Sequence, residues 1–276
     1  VLDMNSFNAE IENIQNGINS IDEDNYAYNA YETAEIFENF FDETYVSFFQ
    51  EEKSLFVEIV TTNLAKKFQE LLDKSKAIVL MSGTIHEENV LKNIFGIKDF
   101  KIVDAETINQ GEIETLKTGF EIDCKYENFK KGNHTRENYL IALDAAVEKA
   151  VKPALIHVNS FEDLPSEFEK TAYNLKNLIT KNSLIQKQHE DKQNNNINKF
   201  KNKEIEILFT TKCNRGVDFP KEQCNSIVFT KYPNPNSSSI FWKVLKRTNP
   251  AYYWSFYKDK AKREFLQKIS TPSSPV

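Results

Sequence analysis

Behind the apolar run Ile205–Phe209, the stretch IEILFTTKCNRGVDFP (205–220) turns abruptly polar. It supplies two hydroxyls (Thr210, Thr211), a cation (Lys212), an amide (Asn214), a second cation (Arg215), a glycine (Gly216) and a carboxylate (Asp218). Hydroxyls, cations and free backbone N–H groups around a glycine are what a phosphate-bearing ligand needs, since a residue without Cβ lets the backbone come close. Two shorter polar groups stand in the same position behind apolar runs: Ser82-Gly83-Thr84 behind KAIVLM and Asn159-Ser160 behind ALIHV. Each alone reads as a turn. Together they predict one edge of a sheet that offers hydroxyls and amides to phosphates. Asp218 and Arg215 diverge from Gly216 toward a ligand; their alternative is a brace for the turn and a surface charge. A fourth stretch, KYPNPNSSSIFWK (231–243), reads as a loop whose Pro-Asn repeats preclude regular helix, in which Lys231 with Tyr232 could sit against a nucleic-acid strand. Tyr232 or Trp242, where exposed, adds base stacking. His86 reads as a helix-entry residue, and His189 with Asn194–Asn196 as a solvated face.

Elements must hold these groups in place. Residues 7–41 are acidic and helical in pattern, 45–49 and 54–60 are β-rich, and 63–72 has helical spacing. Residues 76–85 read as a buried strand ending in a small-residue loop. Beyond them the pattern alternates: strands near 100–103 and 120, a helix at 135–150, a strand at 154–158 and a helix from Phe161. A strand at 183–187, a polar helix to Phe200 and strands at 206–210 and 226–230 complete the series. Such alternation predicts an α/β fold, a mostly parallel sheet with helices on both faces, whose ligands sit at the carboxyl ends of the strands.

The chain has 276 residues, 40% of them apolar and 12% aromatic, enough for one large or two ordinary cores. With 35 basic and 41 acidic residues the net charge is −6, so contact with nucleic acid has to come from a local basic patch. No apolar run of membrane-spanning length and no signal-peptide pattern is present, which predicts no membrane partner and an intracellular location, cytoplasm, nucleoid or nucleus. Cys124, Cys213 and Cys224 are odd in number and lack CxxC spacing, so buried or inert thiols are expected, with no metal site.

The blocks AIVLMSGTI, PALIHVNSFEDL, ILFTTKCNRGVDFP and CNSIVFTKYPNPN, followed by FWKVLKRTNPAYYWSFYKDKAKREFLQKI, resemble successive blocks of the XPD-type superfamily 2 DNA helicases from Lys76 to Ile269. The resemblance implies a RecA-like parallel sheet over 96–269, the second motor domain. Residues 1–95 would be the mixed helix and strand end of the first motor domain, entered from its arch-like helical insertion. It implies nucleotide coupling by Ser82, Gly83, Thr84 and Gly216, and catalytic roles for Asp218, Arg215 and Gln267. DNA contact would fall to Asn159, Ser160, Thr210, Thr211, Lys212, Asn214, Lys231, Tyr232 and Trp242. In the complete family pattern ATP and Mg are cofactors, an iron-sulfur cluster is possible, and single-stranded DNA is the partner.

The departures are equally specific. Seven glycines form no G-x-x-x-x-G-K-[ST] phosphate loop, no Asp-Glu-x-His box occurs, and the cluster cysteines are missing. After Gln267-Lys268-Ile269 the expected arginines give way to STPSSPV, so residues 270–276 read as a disordered or foreign tail. The expectation is a fragment of an ATP-dependent 5′–3′ DNA helicase, of use in repair, whose partner is the missing N-terminal half. The rival is a non-catalytic single-stranded DNA-binding module working with a partner that supplies the ATP site. A nuclease-helicase is a third reading, for which no clustered acidic pattern stands out.

Overall fold

The computed structural model describes residues 26–51, 54–82, 84–103, 113–191, 194–213, 217 and 219–270. In chain order the elements are α1 (Tyr26–Phe37), a 3-10 turn (Glu38–Glu43), β1 (Thr44–Glu51), β2 (Ser54–Thr61), α2 (Leu64–Asp73), α3 (Glu88–Asn93), α4 (Tyr126–Lys130) and α5 (Arg136–Lys149). There follow β3 (Ala154–His157), α6 (Glu167–Ala172), α7 (Lys181–Glu190), α8 (Asn195–Lys201), β4 (Ile207–Thr210), β5 (Ser226–Phe229), α9 (Ile240–Thr248) and α10 (Pro250–Ser270). The described residues fall into two compact units. The first is drawn from Val1–Ile78, Lys92–Ile97 and Asn236–Tyr253, the second from Val79–Leu91, Lys98–Pro235 and Trp254–Val276.

In the first unit β1 and β2 form an antiparallel hairpin, paired from Thr44 with Thr61 to Glu51 with Ser54. The cross-strand rings of Phe49 and Phe56 stack with centroids 5.3 Å apart. The Asn63 side chain caps α2 by accepting the Lys66 amide at 2.9 Å. Phe68 on that helix meets Phe95 edge-on. At Gly96 φ is +68°, and an added Cβ would lie 2.8 Å from Ala65 Cβ. Gly96→Ala is therefore expected to cost about 1–3 kcal/mol, from strain at positive φ and from the contact. A thermal melt that matches wild type would contradict it.

The second unit is built on a parallel sheet in the order β4-β3-β5. β3 is central and apolar on both faces, as a strand covered by helices on each side must be. Its Ala154 and Ile156 pack against Tyr139, Leu140, Leu143 and Val147 of α5. Leu155 points the other way, into a cluster with Phe200 of α8, Leu208, Cys213 and Phe219. Helix α5 starts where Thr135 and Asn138 close a reciprocal cap. Cys213 and Cys224 are buried free thiols. Burial holds both in the protonated form, Cys224 pushed up to about 11.

Several expectations change. Residues 183–187 lie in a helix, not a strand: Thr180 accepts the Ser183 amide, and only Leu184 is buried while Ile185 stays exposed. Residues 77–82 form no strand, and Val79, Leu80 and Met81 are exposed, because no described strand offers them a ladder. Residues 100–103 belong to no strand, and around Phe120 the chain turns, with Glu121 accepting the Thr118 and Gly119 amides. The helix expected from Phe161 opens as a 3-10 turn, with α6 beginning at Glu167. The helical expectation for 7–41 is met from Tyr26 onward; residues 1–25 and the 271–276 tail lie outside the described residues. Among the described residues no helix is long and apolar enough to cross a membrane.

Candidate nucleic-acid interface

The parallel register brings three carboxyl ends together, His157 pairing with Thr210 on one side and Phe229 on the other. Asn159–Ser160, Thr211–Lys212 and Thr230–Lys231 thus leave the sheet at one end, the position where α/β sheets hold ligands. Asn159 and Thr210 lie where the sequence places them. Ser82 does not follow a strand: its Oγ accepts the Thr84 amide at 3.2 Å in an exposed turn.

Two local devices fix this end. Asp163, 2% exposed, accepts the Ser160 amide at 3.1 Å and the Thr230 hydroxyl at 2.8 Å, and pairs with Lys231 Nζ at 2.7 Å. The Asn159 amide donates in turn to Thr230 Oγ1 at 3.0 Å, and Tyr139 Oη donates to the Thr230 carbonyl. The turns after β3 and β5 are therefore one hydrogen-bonded body. The turn after β4 is held by Gln188 of α7. Its Oε1 accepts the Thr211 amide at 3.1 Å, while its Nε2 donates to Thr211 Oγ1 at 2.9 Å. The Lys212 amide donates to Thr210 Oγ1 at 2.9 Å. Its ammonium reaches only the Gln188 carbonyl, at 3.4 Å, so the charge is exposed and without a carboxylate partner among the described residues.

Lys231 behaves differently from Lys212. Its ammonium sits on Asp163 and over the Tyr139 ring, 5.1 Å from the centroid, so its charge is already compensated inside the fold. Tyr232 is exposed and stacks obliquely on Phe265, leaving part of the ring open. Trp242 is buried in the first unit against Tyr253 and Phe241, so the exposure expected of its indole is not met. Gln267 is half-buried on α10. Gly83, Asn214, Arg215, Gly216 and Asp218 lie outside the described residues.

The segment around Thr84 is fastened to α10 through His86 and by two groups the sequence did not single out, Asp259 and Arg263. His86 Nδ1 and the Glu87 amide both engage the carboxylate of Asp259, itself 2% exposed. The Arg263 guanidinium bonds His86 and donates to the Thr84 carbonyl at 3.4 Å. Thr84 Oγ1 is buried and has no hydrogen-bond partner among the described residues. Burial is the leading cause that lowers the His86 pKa below 6.5, and the Asp259 hydrogen bond opposes it. No local pattern announces a pair 173 residues apart. Asp163 was not singled out either, although the Ser160-x-x-Asp163 spacing is a signal that could have found it.

Residues 143–269 match the helicase C-terminal domain family. The parallel sheet and its flanking helices are consistent with a RecA-like helicase C-terminal domain, and the polar strand ends described above all fall inside the matched segment. No curated protein and no solved structure is significantly similar to the chain.

Proposed function

We propose that the chain is the strand-gripping half of an ATP-dependent DNA helicase of the XPD type, which tracks 5′ to 3′ on single-stranded DNA in repair inside the cell. One observation carries this reading. The helicase-matched unit presents Asn159, Ser160, Thr210, Thr211 and Lys212 at one end of a parallel sheet, with backbone amides and hydroxyls ordered by Asp163 and Gln188. Such an end holds a phosphate backbone without reading bases. The sequence has no phosphate loop and no acidic metal-holding box, so these residues do not fit Mg-ATP as a primary seat. The chain alone is expected to turn over no ATP above background, and a partner chain or segment supplies that seat.

Fluorescence anisotropy with a labelled single-stranded oligonucleotide across a salt series tests the grip. About three phosphate contacts, from Lys212, Arg215 and a neighbouring lysine, predict a log-log slope near −2, at about −0.7 per contact. Lys212→Ala is expected to weaken binding for every sequence alike and to flatten the slope by about 0.7. Lys231→Met is expected to leave the slope alone, since its charge is spent on Asp163. Equal affinity of wild type and Lys212→Ala at low salt would sink the reading.

A further inference from the structure

Beside the strand end lies a cleft of about 550 Å³ between α7, the first turn of α8 and the outer side of β4. That size is ordinary for a small-molecule site. Ala154 N–H donates to the Glu206 carbonyl and Val158 N–H to the Thr210 carbonyl, which fixes the orientation of β4. Glu206, Leu208 and Thr210 turn their backbone groups to β3, and Ile207 and Phe209 turn theirs to the free edge that borders the cleft. Their outward N–H and C=O groups have no partner among the described residues.

The walls are of two kinds. The floor is apolar, from Ile179, Leu184, Ile197, Ile205 and the β4 side chains. The rim carries the amides of Asn194, Asn195 and Asn196, the run expected to be only a solvated face, together with Lys187, Lys199 and Lys212. Among the described residues none of the three ammonium groups is in an ion pair. The two carboxylates on the rim are occupied: Glu190 accepts from Gln186, and Asp191 accepts the Asn195 and Asn196 amides. The three lysines against the two carboxylates leave the cleft lining with a net charge of only +1; it is floored for a flat apolar face, edged with donors and acceptors, and continuous with Thr210 and Lys212.

We propose that this cleft takes one nucleotide of the single strand held at Thr210–Lys212, with its base against the β4 edge and its phosphates on Lys187, Lys199 and Lys212. The inference rests on the DNA-gripping function above and adds a base-accepting site to it. A strand-forming acidic peptide would also meet the charge. However, a four-residue edge with two outward residues gives a peptide ladder little length, whereas a base edge needs only one or two such groups.

Two measurements on the 276-residue chain test it. The first follows the amide resonances of Lys187, Asn196, Ile207 and Phe209 by NMR while deoxyadenosine monophosphate is added; shifts confined to these positions are expected. The second compares a normal 12-nucleotide strand with an abasic strand of equal length. Wild type is expected to bind the normal strand about tenfold more tightly, within the range of base stacking. Asn195→Trp, at an exposed position on the cleft mouth, is expected to abolish that preference while keeping the affinity for the abasic strand. Strand binding with no base preference, and no shifts with the nucleotide, overturns the cleft and leaves the strand grip standing. Nucleotide shifts without strand binding support the cleft and overturn the strand grip. Shifts produced by an acidic hexapeptide and not by the nucleotide overturn the cleft as a base site.

Discussion

Replacing Asp163 by alanine will lower the unfolding free energy by about 3 kcal/mol, and Asp163→Leu combined with Lys231→Met will return most of it. The carboxylate is 3% exposed as a side chain and serves three donors, the Ser160 amide, the Thr230 hydroxyl and the Lys231 ammonium. Truncation strands all three, and a group left unpaired in the interior costs about 1–3 kcal/mol. Lys231 is 38% exposed and can swing part of its charge to water, which holds the total near the lower end of the range for a broken buried pair. Removing the cation along with the anion deletes the largest of these penalties, so the single-variant costs should not add. Urea titrations of wild type, Asp163→Leu, Lys231→Met and the two combined close a double-mutant cycle that measures this. Additive costs would mean that the two residues stabilise the sheet end independently. Because Asp163 also sets the Ser160 amide and Thr230, the alanine variant should lose oligonucleotide affinity as well.

The parts of this architecture that the sequence makes legible are those whose information is local. ALIHV can only be a strand covered on both faces, and β3 is that strand. AIVLM shares four of its five residue types, yet Val79 and Met81 are 81% and 90% exposed, because a strand exists only where another strand completes its ladder. SLIQK has β-prone residues, but the Thr180 cap three residues ahead of Ser183 is the stronger instruction. The strand ends at Asn159 and Thr210 follow from alternation alone. The commitment of Lys231 to Asp163 and the burial of Trp242 do not, since both depend on which distant surfaces meet. A lysine in a polar loop and a tryptophan among cations look the same in sequence whether they face solvent or a neighbour. The cleft beside β4 was hidden for a related reason: asparagines on a helix read as solvated until a free strand edge is seen beside them.

Acid will destabilise the second unit well before its carboxylates are protonated, with stability falling from about pH 6.5 toward pH 4. His157 ends β3 with 2% exposure, stacked on Phe229 at 5.2 Å. Among the described residues neither ring nitrogen closes a hydrogen bond, and the Lys268 backbone only weakly opposes the effect of burial. Burial first, and then the charge of Lys268, lower its pKa from 6.5 to about 4. The Lys268 ammonium is paired with Glu264 at 3.0 Å, so the one carboxylate beside it is already engaged. In the unfolded chain the imidazole takes up its proton near pH 6.5, and in the folded chain only near pH 4. The unfolded state therefore binds more protons throughout that window, and stability that is complete above it is lost as pH falls. A displacement of about 2.5 units at about 1.4 kcal/mol per unit makes the loss about 3 kcal/mol. His86 is shifted in the same direction and adds to the trend. His157→Phe keeps an aromatic ring on Phe229 and removes the titrating group. Its urea midpoint should fall less than that of wild type between pH 7 and pH 4.5, and His86→Gln should remove a smaller share of the slope. Carboxylate titration affects all three proteins alike, so the differences between their pH profiles isolate the imidazoles. Parallel profiles for wild type and His157→Phe would show that the ring at the end of β3 reaches water more freely than its 2% exposure implies.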